Sequence, residues 1–321
     1  MILTFMDHDG TKLRKSALES VTRARKLAQT IGGEVVGLLV GPGAETVAQE
    51  AKKYVTKVYT VSGPDWQNYT AEKWALAAYA AAEAAGAKVV ITPASRSGRS
   101  WSPRLAFKLN AALLEDTLDS WAEGEKVFAS KYSFLNRVLE KQAASLPAVI
   151  SVKPNTTPLA EPAGEGAVAA LSVELGEVEN KVEVLEKISE SGGKVALTEA
   201  EVVVTGGRGM GSAEAFGMIE ELADLLGGAV GATRAVIDAG WRPYGEQIGQ
   251  TGKTVQPNVY FALALSGAVQ HQAGMNKSKV VVAVNKDPDA PVFKESDYGV
   301  VGDIHQVLPV MIEEVKKLKN A

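Results

Sequence analysis

The feature that most constrains this chain is an alternation of strand-like and helix-like segments that starts at the N-terminus and begins again near Glu201. Met1–Met6 is a strand-sized apolar run. Ser16 to Gly32 carries Leu18, Val21, Leu27, Ala28 and Ile31 at the spacing of an amphipathic helix, stopped by Gly32-Gly33. Strand signals at Glu34–Val40, Lys57–Val61 and Lys88–Thr92 are separated by helix signals at Ala44–Tyr54 and Thr70–Ala85. Parallel strands need crossovers and helices usually supply them, so this order predicts a Rossmann-like α/β domain with a helix-covered parallel sheet. Lys126–Tyr132, Val138–Gln142 and Ala148–Val152 have no helix-length spacers between them, which predicts antiparallel strands added to that sheet. Beyond a Pro- and Gly-rich loop from Pro154 to Gly166, Val168–Val173 and Val182–Leu185 read as further short strands.

At 321 residues the chain exceeds the usual span of one core. The small, polar stretch Ser189-Glu190-Ser191-Gly192-Gly193-Lys194 is the natural boundary, giving domains at 1–190 and 191–321. Leu197–Glu201 is helix-like. The alternation then resumes with a strand at Glu201–Thr205, the turn Gly206-Gly207-Arg208-Gly209-Met210-Gly211-Ser212 and a helix over Ala213–Leu226. Strands at Val259–Leu265, Lys279–Val284 and Tyr298–Val301 and a final helix to Lys319 complete a second, doubly wound α/β domain. A Gly-rich turn between strand and helix either aims backbone N–H groups at a phosphate or is a plain tight turn. It is not a G-x-G-x-x-G fingerprint, and no acidic residue ends the strand near Val230, so the NAD pattern is not met. Small and polar residues at successive strand ends, in Ser266–His271, Asn285–Pro288 and Asp303-Ile304, describe one nucleotide crevice, because open parallel sheets bind ligands at their carboxyl edges.

Composition narrows the chemistry. The chain has no cysteine, which excludes disulfides, thiolate nucleophiles and cysteine-ligated clusters. His8, His271 and His305 lack metal-ligand spacing. A net charge of −4, with 34 Lys and Arg against 38 Asp and Glu, argues against a nucleic-acid partner. No apolar run reaches the roughly 20 residues that span a bilayer, and the first residues lack a basic n-region, so a cytoplasmic protein without membrane insertion is expected. An organic cofactor is the remaining route for redox work. Arg96, Arg99 and Arg104 read as an anion site, a solvated basic face or a partner contact, and the five tryptophans as core or interface aromatics.

Gly206-Gly207-Arg208-Gly209, Gly231-Ala232-Thr233-Arg234, Ile248-Gly249-Gln250-Thr251-Gly252-Lys253, Ser266-Gly267-Ala268-Val269-Gln270-His271 and Asn285-Lys286-Asp287-Pro288-Asp289-Ala290-Pro291 stand in an order and spacing that resembles the electron-transfer flavoprotein alpha subunit (FixB family). Ala94–Ser100, Pro103–Ala106 and Leu114–Thr117 extend the likeness more loosely to the N-terminal half. The resemblance implies an FAD-binding electron carrier with no substrate turnover of its own. It implies a heterodimer with a beta subunit that carries AMP and contacts the N-terminal domain. Electrons would come from acyl-CoA or related dehydrogenases of fatty acid beta-oxidation and pass to a quinone oxidoreductase or another acceptor.

The same resemblance implies FAD contacts at Arg208, Thr233, Arg234, Gln247, Ile248, Gly249, Gln250, Thr251, Ser266, Gly267, Ala268, Val269, Gln270, His271, Asn285, Asp303 and Ile304. Arg208 and Ser266-Gly267 suit the pyrophosphate, and Asn285 and Asp303 suit adenosine. Where the family commonly has Ser, this chain has Thr233, which keeps the hydroxyl. Around the flavin ring, Thr251 would hydrogen-bond N5, His271 would face the C2 carbonyl and Arg234 would sit beside the ring. A cation about 4 Å from a developing negative charge gains roughly 4 kcal/mol at an effective dielectric near 20, on the order of 170 mV for one electron. Two other classes stay open: a self-sufficient flavin dehydrogenase, for which no general base stands out, and a non-catalytic nucleotide sensor.

Overall fold

The computed structural model describes residues 1–134, 137–175, 184–185 and 195–320, and the chain divides into two compact units, Met1–Lys187 and Ile188–Ala321. The expected boundary at Ser189–Lys194 and most of the expected strand Val182–Leu185 lie outside the described residues.

The first unit runs β1 (Ile2–Phe5), α1 (Lys15–Ile31), β2 (Val35–Val40), α2 (Ala44–Ala51), β3 (Lys57–Val61), α3 (Ala71–Ala85), β4 (Val89–Pro93), α4 (Arg96–Lys108), β5 (Ala112–Thr117), β6 (Asp119–Glu123), β7 (Lys126–Ser133), β8 (Val138–Ser145), β9 (Ala148–Val152) and β10 (Ala167–Ala170). A parallel seven-stranded sheet has the order β10-β3-β2-β1-β4-β9-β5. The strands are apolar on both faces because helices cover both: Ile2 and Met6 pack with residues of α1 and α2, while Leu3 and Phe5 pack with α3 and α4. Local chemistry ends the helices where periodicity predicts. Thr70 caps α3 by accepting the Lys73 N–H at 3.3 Å, and Gly86, at φ +59°, closes it in a left-handed turn.

Two expectations are corrected here. Ala148–Val152 is not an antiparallel addition: all five of its residues are buried and it lies parallel between β4 and β5. The antiparallel part is a separate three-stranded sheet, β6-β7-β8. A continuous apolar run marks a strand covered on both faces, and that signal separates Ala148–Val152 from the half-exposed Val138–Ser145. A buried ionic cluster fastens the small sheet to α1. Arg23 pairs with Asp119 at 2.9 Å and donates to the Leu118 carbonyl at 2.7 Å, while Glu19, one turn away, accepts backbone N–H groups from Asn155, Thr156 and Thr157. Burial pushes the Glu19 carboxyl up to about 7 against those hydrogen bonds.

The second unit runs β11 (Val202–Gly206), α5 (Phe216–Leu226), β12 (Ala229–Ala232), α6 (Arg234–Asp238), β13 (Val259–Leu263), α7 (Val269–Gln272), β14 (Val280–Asn285), β15 (Tyr298–Val301) and α8 (Ile304–Asn320). Leu197–Glu199 forms a turn, not the start of a helix. The five strands are parallel, in the order β12-β11-β13-β14-β15. From β11 the chain first moves outward to β12 and then crosses to β13, so the winding reverses between β11 and β13. Val204, Leu263 and Val284 pack under Phe216, Ile219 and Leu222 of α5 and Leu308 and Ile312 of α8. Val203, Tyr260, Ala262, Val281 and Ala283 point to the other face, against Ile248, Val255 and Met275. Among the described residues no helix is long and apolar enough to cross a membrane, and no group of His, Asp and Glu could hold a metal ion.

Candidate functional site

Reversal of the winding parts the loops that leave β11 and β13, which opens a crevice at the carboxyl edge of the sheet. A cleft of about 710 Å³ lies there, within the size range of cofactor sites. Arg208 and Gly209 line it from the end of β11, Thr233 and Arg234 from the end of β12, and Gln247 to Thr251 from the loop before β13. Ala264 to Ala268, with Gln270 and His271, line it from the end of β13, and Asn285, Asp287, Ala290 and Pro291 from the end of β14.

Backbone geometry makes room for this convergence. Gly207 crosses so close to the next loop that a Cβ there would meet the Ala264 carbonyl oxygen at 2.3 Å. Gly267 has φ +75°, and its Cβ would meet the Val292 Cα at 2.6 Å, so only glycine fits. The backbone N–H groups of Gly267 and Ala268 find no acceptor among the described residues. Unpaired amides in a tight turn form a concavity that favours an anion. The phosphate-turn reading at residues 206–212 takes a different shape from the one expected: Arg208–Met210 is a single 3-10 turn, and α5 begins only at Phe216, so no helix start follows the turn directly.

Side chains around the rim are held in specific hydrogen-bonding states. Gln247 is buried, and its Nε2 donates to the Thr251 Oγ1 at 2.9 Å. An oxygen that accepts there keeps its own proton to give, so Thr251 presents a donor to the cleft. Tyr244 donates to the Thr251 carbonyl at 2.7 Å and fixes the same residue from its backbone side. Asn285 donates to the Leu265 carbonyl at 2.8 Å and accepts from the Asp287 N–H at 2.9 Å, tying the β14 end to the β13 end. Thr233 precedes α6 without using its hydroxyl as a cap. Arg234 is 70% exposed and meets Asp238 only loosely, at 3.4 Å, so its guanidinium is open to solvent in this chain and the larger electrostatic figure for a desolvated cation does not apply.

His271 is buried, and both ring nitrogens are engaged within the chain: Nε2 with the Tyr260 hydroxyl at 2.9 Å and Nδ1 with the Ile248 carbonyl at 3.1 Å. Burial pushes its pKa down to about 4, against the raising effect of the Ile248 carbonyl, so the ring is neutral at pH 7. Burial likewise pushes the Tyr260 phenol up.

Fourteen of the seventeen expected contact residues line the cleft; Val269, Asp303 and Ile304 do not. Val269 is turned outward, Asp303 is exposed and accepts the His305 N–H at 2.8 Å, and Ile304 is buried in the core beneath α5 and α8. A Cβ that starts a helix facing the core cannot also face the cleft, which is the physical reason for Ile304. Sequence reasoning missed the support beneath the cleft. Tyr260 sits inside an apolar strand run, where an aromatic reads as core, and Ala264, at φ +53°, carries no signal in its residue type.

The switch-point cleft, its unpaired amides and its two arginines define a nucleotide-binding α/β protein. Its donor set fits FAD: cationic and backbone groups for a pyrophosphate, hydroxyl and amide donors for a ring system with nitrogen and carbonyl acceptors. The model described as electron transfer flavoprotein FAD-binding domain matches residues 196–276, and that described as electron transfer flavoprotein domain matches residues 2–176. The chain belongs to the electron transfer flavoprotein alpha-subunit (FixB) family and is an electron carrier flavoprotein with an FAD-binding domain. It is 38% identical over 325 residues to the electron transfer flavoprotein subunit alpha of Thermoanaerobacterium thermosaccharolyticum, covering 99% of this chain and 98% of that one. It is 37% identical over 314 residues to the subunit alpha of Bacillus subtilis, covering 97% and 95%. The acryloyl-CoA reductase electron transfer subunit beta of Anaerotignum propionicum is 34% identical over 354 residues, covering 100% and 96%.

Proposed function

We propose that this chain holds FAD in the cleft between the ends of β11 and β13 and passes single electrons through it as one half of a heterodimer with a beta subunit, which carries AMP and contacts the 1–190 domain. The observation that carries the reading is the convergence of Arg208, Arg234, Thr251 and the Gly267-Ala268 amides on one cleft. Bound FAD would supply the reversible one-electron chemistry of the site. The residues divide the rest. Arg208 and the free amides hold the pyrophosphate, Thr251 donates to the ring edge, and Arg234 brings a positive charge beside it.

Acyl-CoA or related dehydrogenases are the donors, and a quinone oxidoreductase or another acceptor receives the electrons, in the cytoplasm. The relative from Anaerotignum propionicum, named as an electron transfer subunit of an acryloyl-CoA reductase, supports a link to acyl-CoA redox chemistry. Co-expression with the neighbouring beta-like subunit, flavin counting and stepwise reduction test the reading. One reducible FAD in this chain, with no small-substrate turnover in the absence of a dehydrogenase, is the expected result. A colourless folded heterodimer overturns it.

A further inference from the structure

A guanidinium outside the cleft fastens the segment that holds Thr251. After α6 the chain turns at Gly240, which has φ +71°, and Trp241 packs edge-on against Phe216 of α5 with ring centroids 6.4 Å apart. Arg242 follows, its side chain only 15% exposed. The guanidinium forks onto both carboxylate oxygens of Glu246, Nε donating at 2.7 Å and Nη2 at 2.8 Å. Nη2 also donates to the Glu220 carboxylate on α5 at 3.0 Å, and the guanidinium carbon stands 5.8 Å from the centre of the Phe216 ring. A planar fork meets a carboxylate in one geometry, and shelter from water strengthens each of its bonds. The fork spans the single 3-10 turn Tyr244–Glu246, and both side-chain groups that hold Thr251 belong to that turn or adjoin it. The Tyr244 hydroxyl donates to the Thr251 carbonyl, and Gln247, next after Glu246, donates to the Thr251 Oγ1.

We propose that Arg242 is a positioning residue of the cofactor site: by clamping the Tyr244–Glu246 turn to α5, it sets where Thr251 presents its hydroxyl proton. The inference rests on the proposed FAD site, with Thr251 donating to N5 at the ring edge. Arg242, Glu220 and Glu246 do not line the cleft, so their effect on a bound cofactor passes through the turn. Backbone bonds within it, from the Glu246 N–H to the Pro243 carbonyl and from the Gln247 N–H to the Tyr244 carbonyl, both 3.0 Å, fix its shape but not its place. Its place is set from two sides, by the Ile248 N–H donating to the Ala232 carbonyl at 3.0 Å and by Arg242 reaching α5. Hydrogen bonds weaken steeply with angle. A small displacement of Tyr244 and Gln247 therefore misdirects the Thr251 hydroxyl, while the pyrophosphate end, built from Arg208 and the Gly267-Ala268 amides, stays as it is.

The test titrates the flavin-stripped two-subunit protein with FAD and with 5-deaza-FAD, in which a C–H replaces the N5 acceptor. The parent is expected to prefer FAD roughly fivefold, the worth of one net hydrogen bond. In Arg242→Gln that preference is expected to fall to about one. A merely structural role weakens the binding of both flavins alike and leaves their ratio where it was. Should Arg242→Gln fail to fold, Glu220→Gln releases the α5 end while keeping the Arg242–Glu246 fork, and it is expected to lower the preference in the same direction by a smaller factor. A parent without preference, or a ratio unmoved in the folded variant, overturns the proposal. The two readings separate in the parent: a protein that binds neither flavin refutes the FAD site and the clamp with it, whereas one that binds FAD with a ratio insensitive to Arg242 refutes the clamp alone.

Discussion

The two units are built alike and differ in what their strand ends do with charge. Each has a parallel sheet whose winding reverses, between β1 and β4 in the first unit and between β11 and β13 in the second. In the first unit charged groups at the carboxyl end of β5 pair with one another. Asp116, at φ +57°, takes Arg99 at 2.7 Å and Lys153 at 3.4 Å, while its own N–H goes to the Ser151 hydroxyl at 2.8 Å. In the second unit the equivalent edge keeps its donors open: Arg208 is exposed, Thr251 is primed by Gln247, and the Gly267 and Ala268 amides lack acceptors among the described residues. Topology reverses the winding in both units, and in the second the reversal carries a cleft whose rim donors are open.

Substitutions that act on one unit alone probe that contrast. Arg208→Ala removes a charge-assisted contact, worth about 1.5–3 kcal/mol, and is expected to weaken FAD binding roughly ten- to a hundredfold by fluorescence titration; unchanged affinity would place the pyrophosphate elsewhere. Next comes the buried charge of the first unit. Glu19 has a folded pKa of about 7, above its ordinary 4.5, so the folded state holds the proton more tightly. Its contribution to stability is full below about 4.5 and is lost as pH rises through about 7. Chemical denaturation across that window should therefore show stability falling with pH in the parent and a flatter profile in Glu19→Gln, with FAD content the same in both.

Smaller effects follow from exposed cations. Arg234 is 70% exposed, and at 4 Å in water a unit charge is worth about 1 kcal/mol, so Arg234→Ala should lower the first one-electron potential by roughly 40 mV and retain flavin. A shift several times larger would show that the partner subunit desolvates the guanidinium. Arg99→Ala, the counterpart in the first unit, breaks a half-exposed ion pair and should cost under about 1 kcal/mol with no change in flavin content or potential. A flavin effect there would dissolve the contrast between the units.

Much of this was legible in the sequence, for reasons that particular residues show. Lys57–Val61 and Tyr298–Val301 fall where apolar patterning and turn residues set them, because strand and helix periods are local properties. The partners of a strand are not local. Ala148–Val152 has the composition of any buried strand, and its place between β4 and β5 depends on contacts far away in the chain. The rim of the cleft was reached through family motifs, and Gln247 and Thr251 could be named without the bond between them being visible. Tyr260 was illegible for the opposite reason: its burial and its hydroxyl serve different ends, and residue type in a strand reports only the first.

The central claim, that the open strand-end edge of the second unit is where the flavin sits, is tested most directly at Gly267. Its φ of +75° and a Cβ that would strike Val292 make Gly267→Val incompatible with the present loop, at a backbone cost of about 1–3 kcal/mol. Flavin should be counted in the two-subunit protein beside the parent, with thermal unfolding of the first unit followed in parallel. The account predicts loss of one FAD per heterodimer with the unfolding of the first unit unchanged; full retention of flavin would contradict it.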